Sequence, residues 1–121
     1  MKLFFDGGYR PAGGMETAVV LRGQAYLQRA LGPGSSFDAE WLALIAALRL
    51  ARACALPDFI LLGDALPVVQ QANGEVRGRG TAVDHLEAFQ ALALAGSTPR
   101  VRYVKRSQNL AGIALARLHP R

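Results

Sequence analysis

Two short apolar runs, each closed by an aspartate, constrain this chain more than any other feature: Leu3-Phe4-Phe5-Asp6 and Phe59-Ile60-Leu61-Leu62-Gly63-Asp64. Each reads as a buried strand, the first ended by Gly7-Gly8. Burying an ionised aspartate costs several kcal/mol unless a cation or hydrogen-bond donors compensate it. Between the runs lies a long apolar helix, about Phe37 to Ala55. A strand reached through such a helix is most simply a parallel neighbour of the first, by a right-handed crossover. Parallel pairing brings the two carboxylates together, where they repel, and a divalent cation is the natural occupant of the space between them.

Length and composition fit that picture. The 121 residues make one domain, 1–121, and the 51% apolar and 19% charged content excludes a disordered chain. No apolar run is long enough to span a bilayer, and the acid at position 6 comes too early for a secretory signal. The single cysteine, Cys54, excludes an internal disulfide framework and is expected in the core of the helix. A cytoplasmic protein without a membrane or an obligate protein partner is the expectation. The net charge of +5 is uneven, −1 over residues 1–76 and +6 over residues 77–121, which suggests a polyanionic partner held near the metal site.

Read in order, Tyr9 to Gly14 is a Gly/Pro turn, and Thr17–Arg22 and Ala25–Leu31 are two strands completing an antiparallel meander with the first. Ser35 or Ser36 caps the long helix. In its first turn Asp38 suits the helix dipole, whereas Glu40, beside Trp41 in a stretch that looks buried, calls for another explanation. A short helix, Leu66–Ala72, follows the second aspartate, then a loop bearing Arg77 and Arg79. A further helix, Ala82–Ala95, has Val83, Leu86, Phe89, Leu92 and Ala93 at core spacing and an exposed His85. Arg100–Val104 is the last strand and Asn109–Leu118 the closing helix, with His119 a tail residue.

Four stretches in this order carry a resemblance: Phe5-Asp6-Gly7-Gly8, Asp38-Ala39-Glu40-Trp41-Leu42-Ala43-Leu44, Leu62-Gly63-Asp64-Ala65-Leu66-Pro67-Val68-Val69, and Val104-Lys105-Arg106-Ser107-Gln108-Asn109-Leu110-Ala111. Through them the chain resembles the ribonuclease H family over nearly its whole length. The resemblance implies an α/β fold with a five-stranded mixed sheet of order 3-2-1-4-5 flanked by helices. It implies Asp6, Glu40 and Asp64 as catalytic acids and ligands of two Mg²⁺ ions, with Mn²⁺ as a substitute. It also implies hydrolysis within the RNA strand of an RNA–DNA hybrid. Two such ions can bracket a phosphodiester, and Mg²⁺ favours carboxylates over His or Cys ligands. Lys105, Arg106, Asn109, Arg77 and Arg79 are the expected nucleic-acid contacts.

The sequence departs from the family pattern in three places. The fourth acid, three residues after the asparagine of Asn-x-x-Asp, is Gly112 here. The usual Asp-Ser-Gln is Asp64-Ala65-Leu66, and no histidine lies in the loop before the last helix. The alternative function is therefore a weakened ribonuclease H-like module that binds nucleic acid or a protein partner, and Asp84 is a candidate replacement acid. A proofreading-type exonuclease is disfavoured because its first strand carries two acids one residue apart, whereas Asp6 is followed by Gly7-Gly8.

Overall fold

The computed structural model describes residues 1–96 and 99–119. Five strands form one sheet: β1 (Lys2–Arg10), β2 (Gly14–Leu21), β3 (Gln24–Gln28), β4 (Ile60–Gly63) and β5 (Arg100–Tyr103). The helices are α1 (Ser36–Ala53), α2 (Leu66–Ala72), α3 (Thr81–Ala93) and α4 (Leu110–Ala116). The sheet order is β3-β2-β1-β4-β5, antiparallel through the meander and parallel from β1 to β5. This is the order expected from the sequence. No helix among the described residues is long and apolar enough to cross a membrane.

Alternation along β1 decides which face each helix covers. Leu3 and Phe5 join Trp41, Leu44 and Leu48 of α1 in the main core, which α2 and α3 complete through Val68, Val69 and Phe89. Phe4 packs on the other face, in a smaller cluster with Ala18, Val20, Ala111 and Leu115 of α4. Ser35 caps α1, its hydroxyl accepting from the Asp38 amide at 3.0 Å. Buried Trp41 donates to Gln71 at 3.2 Å, pinning α2 to α1.

Several expectations are corrected. The first strand does not end at Gly7-Gly8 but runs through both glycines to Arg10, so Asp6 lies within it. The glycines serve packing: a Cβ at Gly7 would stand 2.2 Å from the Ala39 carbonyl oxygen and 2.6 Å from the Glu40 nitrogen. Cys54 is exposed, because α1 has already ended at Ala53 and Cys54 is its C-cap. Val83 is exposed, and Ala82 takes the buried place on α3. His85 is not a free surface residue; it stacks on Trp41 and meets Asp38 Oδ1 at 3.0 Å. Arg52 of α1 donates to the Leu92 and Ala93 carbonyls and lies over the Phe59 ring.

The Gly7 contact yields a prediction. Gly7→Ala forces a methyl into the α1 backbone, and overpacking of this kind against main chain costs about 3 kcal/mol. Urea denaturation is expected to show that loss; a midpoint equal to wild type would mean that α1 can shift freely.

Candidate active site

Asp6, Glu40 and Asp64 reach one point from three segments. β4 pairs with β1 only from Lys2 to Phe4 and stops at Gly63. The flank of β1 beyond Phe4 is therefore open where Asp64 leaves β4. Glu40, held over that gap by the close approach of α1, accepts a hydrogen bond from the Gly7 amide at 3.1 Å. One carboxylate oxygen from each of the three acids lies within 4.8 Å of the others.

The electrostatics of the trio are unfavourable as they stand. Burial raises the Glu40 carboxyl to about 10 from an ordinary 4.5, and the neighbouring Asp6 adds to the shift. Burial also raises Asp6; its hydrogen bond with Glu40 offsets part of this, the Asp64 charge adds to it, and Arg106 opposes it. Glu40 Oε2 is buried with no hydrogen-bond donor in reach. Asp6 beside it is another acceptor, so the contact requires a shared proton or a cation. An oxygen-only donor set with one orphaned buried oxygen fits a hard divalent ion such as Mg²⁺ or Mn²⁺.

Stability should follow this titration. An acid whose carboxyl is raised on folding keeps its proton in the folded chain after the unfolded chain has lost it. This contribution to the metal-free protein is fully present below about 4.5 and is lost as pH climbs toward about 10. Asp38, lowered from its ordinary 3.8 chiefly by the Thr81 hydroxyl, titrates below that window. Melting temperatures in EDTA should fall between about pH 5 and 9, and Mn²⁺ should flatten or reverse the slope. A metal-independent, flat profile would contradict the trio's geometry.

Asn109 is placed differently from its expected role. It is fully buried, its amide donating to the Phe5 carbonyl at 2.9 Å and to Asp64 Oδ2 at 3.2 Å. Its oxygen accepts from the Ala111 amide at 3.1 Å and so caps α4. Asn109 therefore orients Asp64 and offers nothing to a ligand. Gly112 stands opposite the acids, a Cβ there falling 3.3 Å from Asp6 Oδ2 and 3.8 Å from Asp64 Oδ2. Asp84 is exposed on α3 and is not grouped with them.

Asp6 and Glu40 open into a cleft of about 940 Å³ between the end of β1, α1 and α4. Arg106 lines it; Lys105 is exposed nearby in the chain but does not. Arg77 and Arg79 are exposed on the loop between α2 and α3, outside this cleft. Glu16, Arg10 and His119, which the sequence did not single out as site residues, also line it. His119 is no loose tail, for Nε2 pairs with Glu16 Oε1. A buried acid one strand away from the Asp6 strand was the available signal.

A mixed sheet of this order, with carboxylates gathered where the central parallel strands part, defines a ribonuclease H-like domain. The model of the family described as "Reverse transcriptase-like" matches residues 14–119, and the chain belongs to that ribonuclease H-like family. Among solved structures it is similar to ribonuclease H1 from the halophilic archaeon Halobacterium salinarum (24% identity, TM-score 0.79, covering 94% of this chain and 92% of that one). The N-terminal ribonuclease H domain of a Mycobacterium tuberculosis protein, solved as a fusion with maltose-binding protein, gives 24% identity and a TM-score of 0.78 over 94% of this chain and 93% of that one. LC11 ribonuclease H1 in complex with an RNA/DNA hybrid gives 17% and 0.77 over 94% and 91%. No curated protein sequence matches the chain significantly. Family and fold support a nuclease-type hydrolase.

Proposed function

We propose that this chain is a divalent-metal-dependent endonuclease that hydrolyses the RNA strand of RNA–DNA hybrids. The observation that carries the reading is the trio Asp6, Glu40 and Asp64, drawn within 4.8 Å of one another, with Asp6 and Glu40 lining an open cleft and Glu40 Oε2 left without a donor. A purely structural domain gains stability by dropping such a trio. Bound Mg²⁺ or Mn²⁺ would neutralise charge on the scissile phosphodiester and activate water. The three carboxylates would hold the metal, Asn109 keeps Asp64 aimed at it, and Arg106 brings a positive charge to the same cleft for substrate phosphate. The hybrid is favoured as substrate by the structural likeness to LC11 ribonuclease H1, which was captured with one.

The second reading, a module that binds nucleic acid without efficient hydrolysis, draws on Gly112, which leaves the α4 side of the trio without a carboxylate. Incubating purified protein with end-labelled RNA–DNA hybrid, duplex RNA and duplex DNA, each with Mg²⁺ or Mn²⁺, separates the two. Internal cuts confined to the RNA strand of the hybrid are expected. Retention of the hybrid without any cut, in either metal, would favour the binding module.

A further inference from the structure

Beside the acids, four polar side chains from four segments, Glu16, Arg10, Arg29 and His119, converge. Glu16 on β2 is 6% exposed, and Gly8 faces it across the sheet. A Cβ at Gly8 would meet Leu115 Cδ2 at 3.4 Å and Glu16 Cγ at 4.0 Å, so the bare glycine leaves room for the glutamate. Arg10 Nε stands 3.8 Å and Arg29 Nε 3.5 Å from its oxygens, and His119 Nε2 closes on Oε1. Two guanidinium groups against one carboxylate leave positive charge in excess. Both arginines are more than half exposed, so their charge faces solvent rather than being spent on Glu16.

The position of this cluster limits what it can do. Gly112, Leu115 and Ala116 of α4 line the cleft, as does His119, which follows the helix. Glu16, which His119 meets, pairs with Gly8, two residues and so about 7 Å beyond Asp6 along β1. Gly112 itself borders the acids. A nucleic-acid strand presents a phosphate about every 3.4 Å of helix axis. The cluster therefore stands where a strand lying in the cleft would bring a neighbouring phosphate. Nε2 of His119 is taken by Glu16, while Nδ1 has no partner among the described residues.

We propose that His119, oriented by Glu16, and Arg10 form a subsite for a backbone phosphate of the bound polynucleotide, a near neighbour of the phosphate at the acids. The inference rests on the polynucleotide-cleaving reading above. In it Glu16 is a positioning residue.

The test is fluorescence anisotropy with a labelled RNA–DNA hybrid of about sixteen base pairs, in EDTA, from about 50 to 200 mM salt. His119→Ala and Arg10→Ala should each weaken binding roughly three- to ten-fold. Arg10→Ala should also make the plot of log affinity against log salt shallower by about one. His119→Gln keeps a hydrogen-bonding side chain beside Glu16 but presents no ring nitrogen to the phosphate and should behave as His119→Ala. Lys2→Ala, at the other end of β1, should match wild type. If His119→Ala and His119→Gln lower the melting temperature yet bind with wild-type affinity, His119 only fastens the end of α4 and the subsite is overturned. Cleavage of hybrid by wild type in that case leaves the nuclease reading standing. Wild-type protein that neither binds nor cleaves the hybrid overturns both.

Discussion

Asp64→Asn is expected to slow hydrolysis of an RNA–DNA hybrid by about a thousand-fold while the protein stays folded. The substitution keeps the shape of the side chain and an oxygen able to accept from Asn109, so the link between β1, Asp64 and α4 survives. What it removes is one of three negative charges drawn within 4.8 Å. A thousand-fold corresponds to about 4 kcal/mol of barrier, in the range that a correctly held metal contributes. Asp6→Asn should do the same. Glu40→Gln should lose activity too, yet raise the melting temperature of the metal-free protein, since it ends the competition between Glu40 and Asp6 for one proton. Paired rate and melting measurements on the three variants check this. Undiminished cleavage by both aspartate variants would remove the trio from the reaction.

Gly112→Asp should have the largest effect in the opposite direction, raising the rate at low Mg²⁺ about ten-fold or more. The substituted Cβ would sit 3.3 Å from Asp6 Oδ2 and 3.8 Å from Asp64 Oδ2, so a carboxylate there joins the trio and completes the family's acid pattern. The backbone is permissive, because position 112 is the third residue of α4, after its cap Asn109. An acid in that first turn suits the helix dipole, and replacing glycine within a helix removes a penalty of about 0.5 kcal/mol. Against this stands repulsion from Asp6 and Asp64, so the variant should melt lower than wild type in EDTA and higher with Mn²⁺. Rates measured across a metal titration test it. No gain at any metal concentration would mean that the missing carboxylate does not limit the enzyme.

What the sequence disclosed and what it hid divide along physical lines. Apolar runs and helix patterning depend on local periodicity, so the element order, the crossover and the sheet order were legible, as was the convergence of Asp6, Glu40 and Asp64. Gly7-Gly8 was misleading because glycine marks a strand end and a close helix contact alike, and only the position of Ala39 tells them apart. Cys54 and Val83 were misplaced because one residue of helix length, or one of register, turns a side chain from core to solvent. Asn109 looked like a surface contact since its motif says nothing of burial. Glu16 and His119 lie 103 residues apart, and no spacing rule links a strand residue to one following the last helix.

The contact between Gly7 and the first turn of α1 reaches beyond stability. Because strand and helix touch there through main chain, the gap separating the Asp6 and Glu40 carboxylates is set by two backbones and not by the girth of any aliphatic residue between them. Repacking the interior with differently sized hydrophobes would thus leave the spacing demanded by a small ion largely untouched. A single added methyl at residue 7 would be enough to spread it.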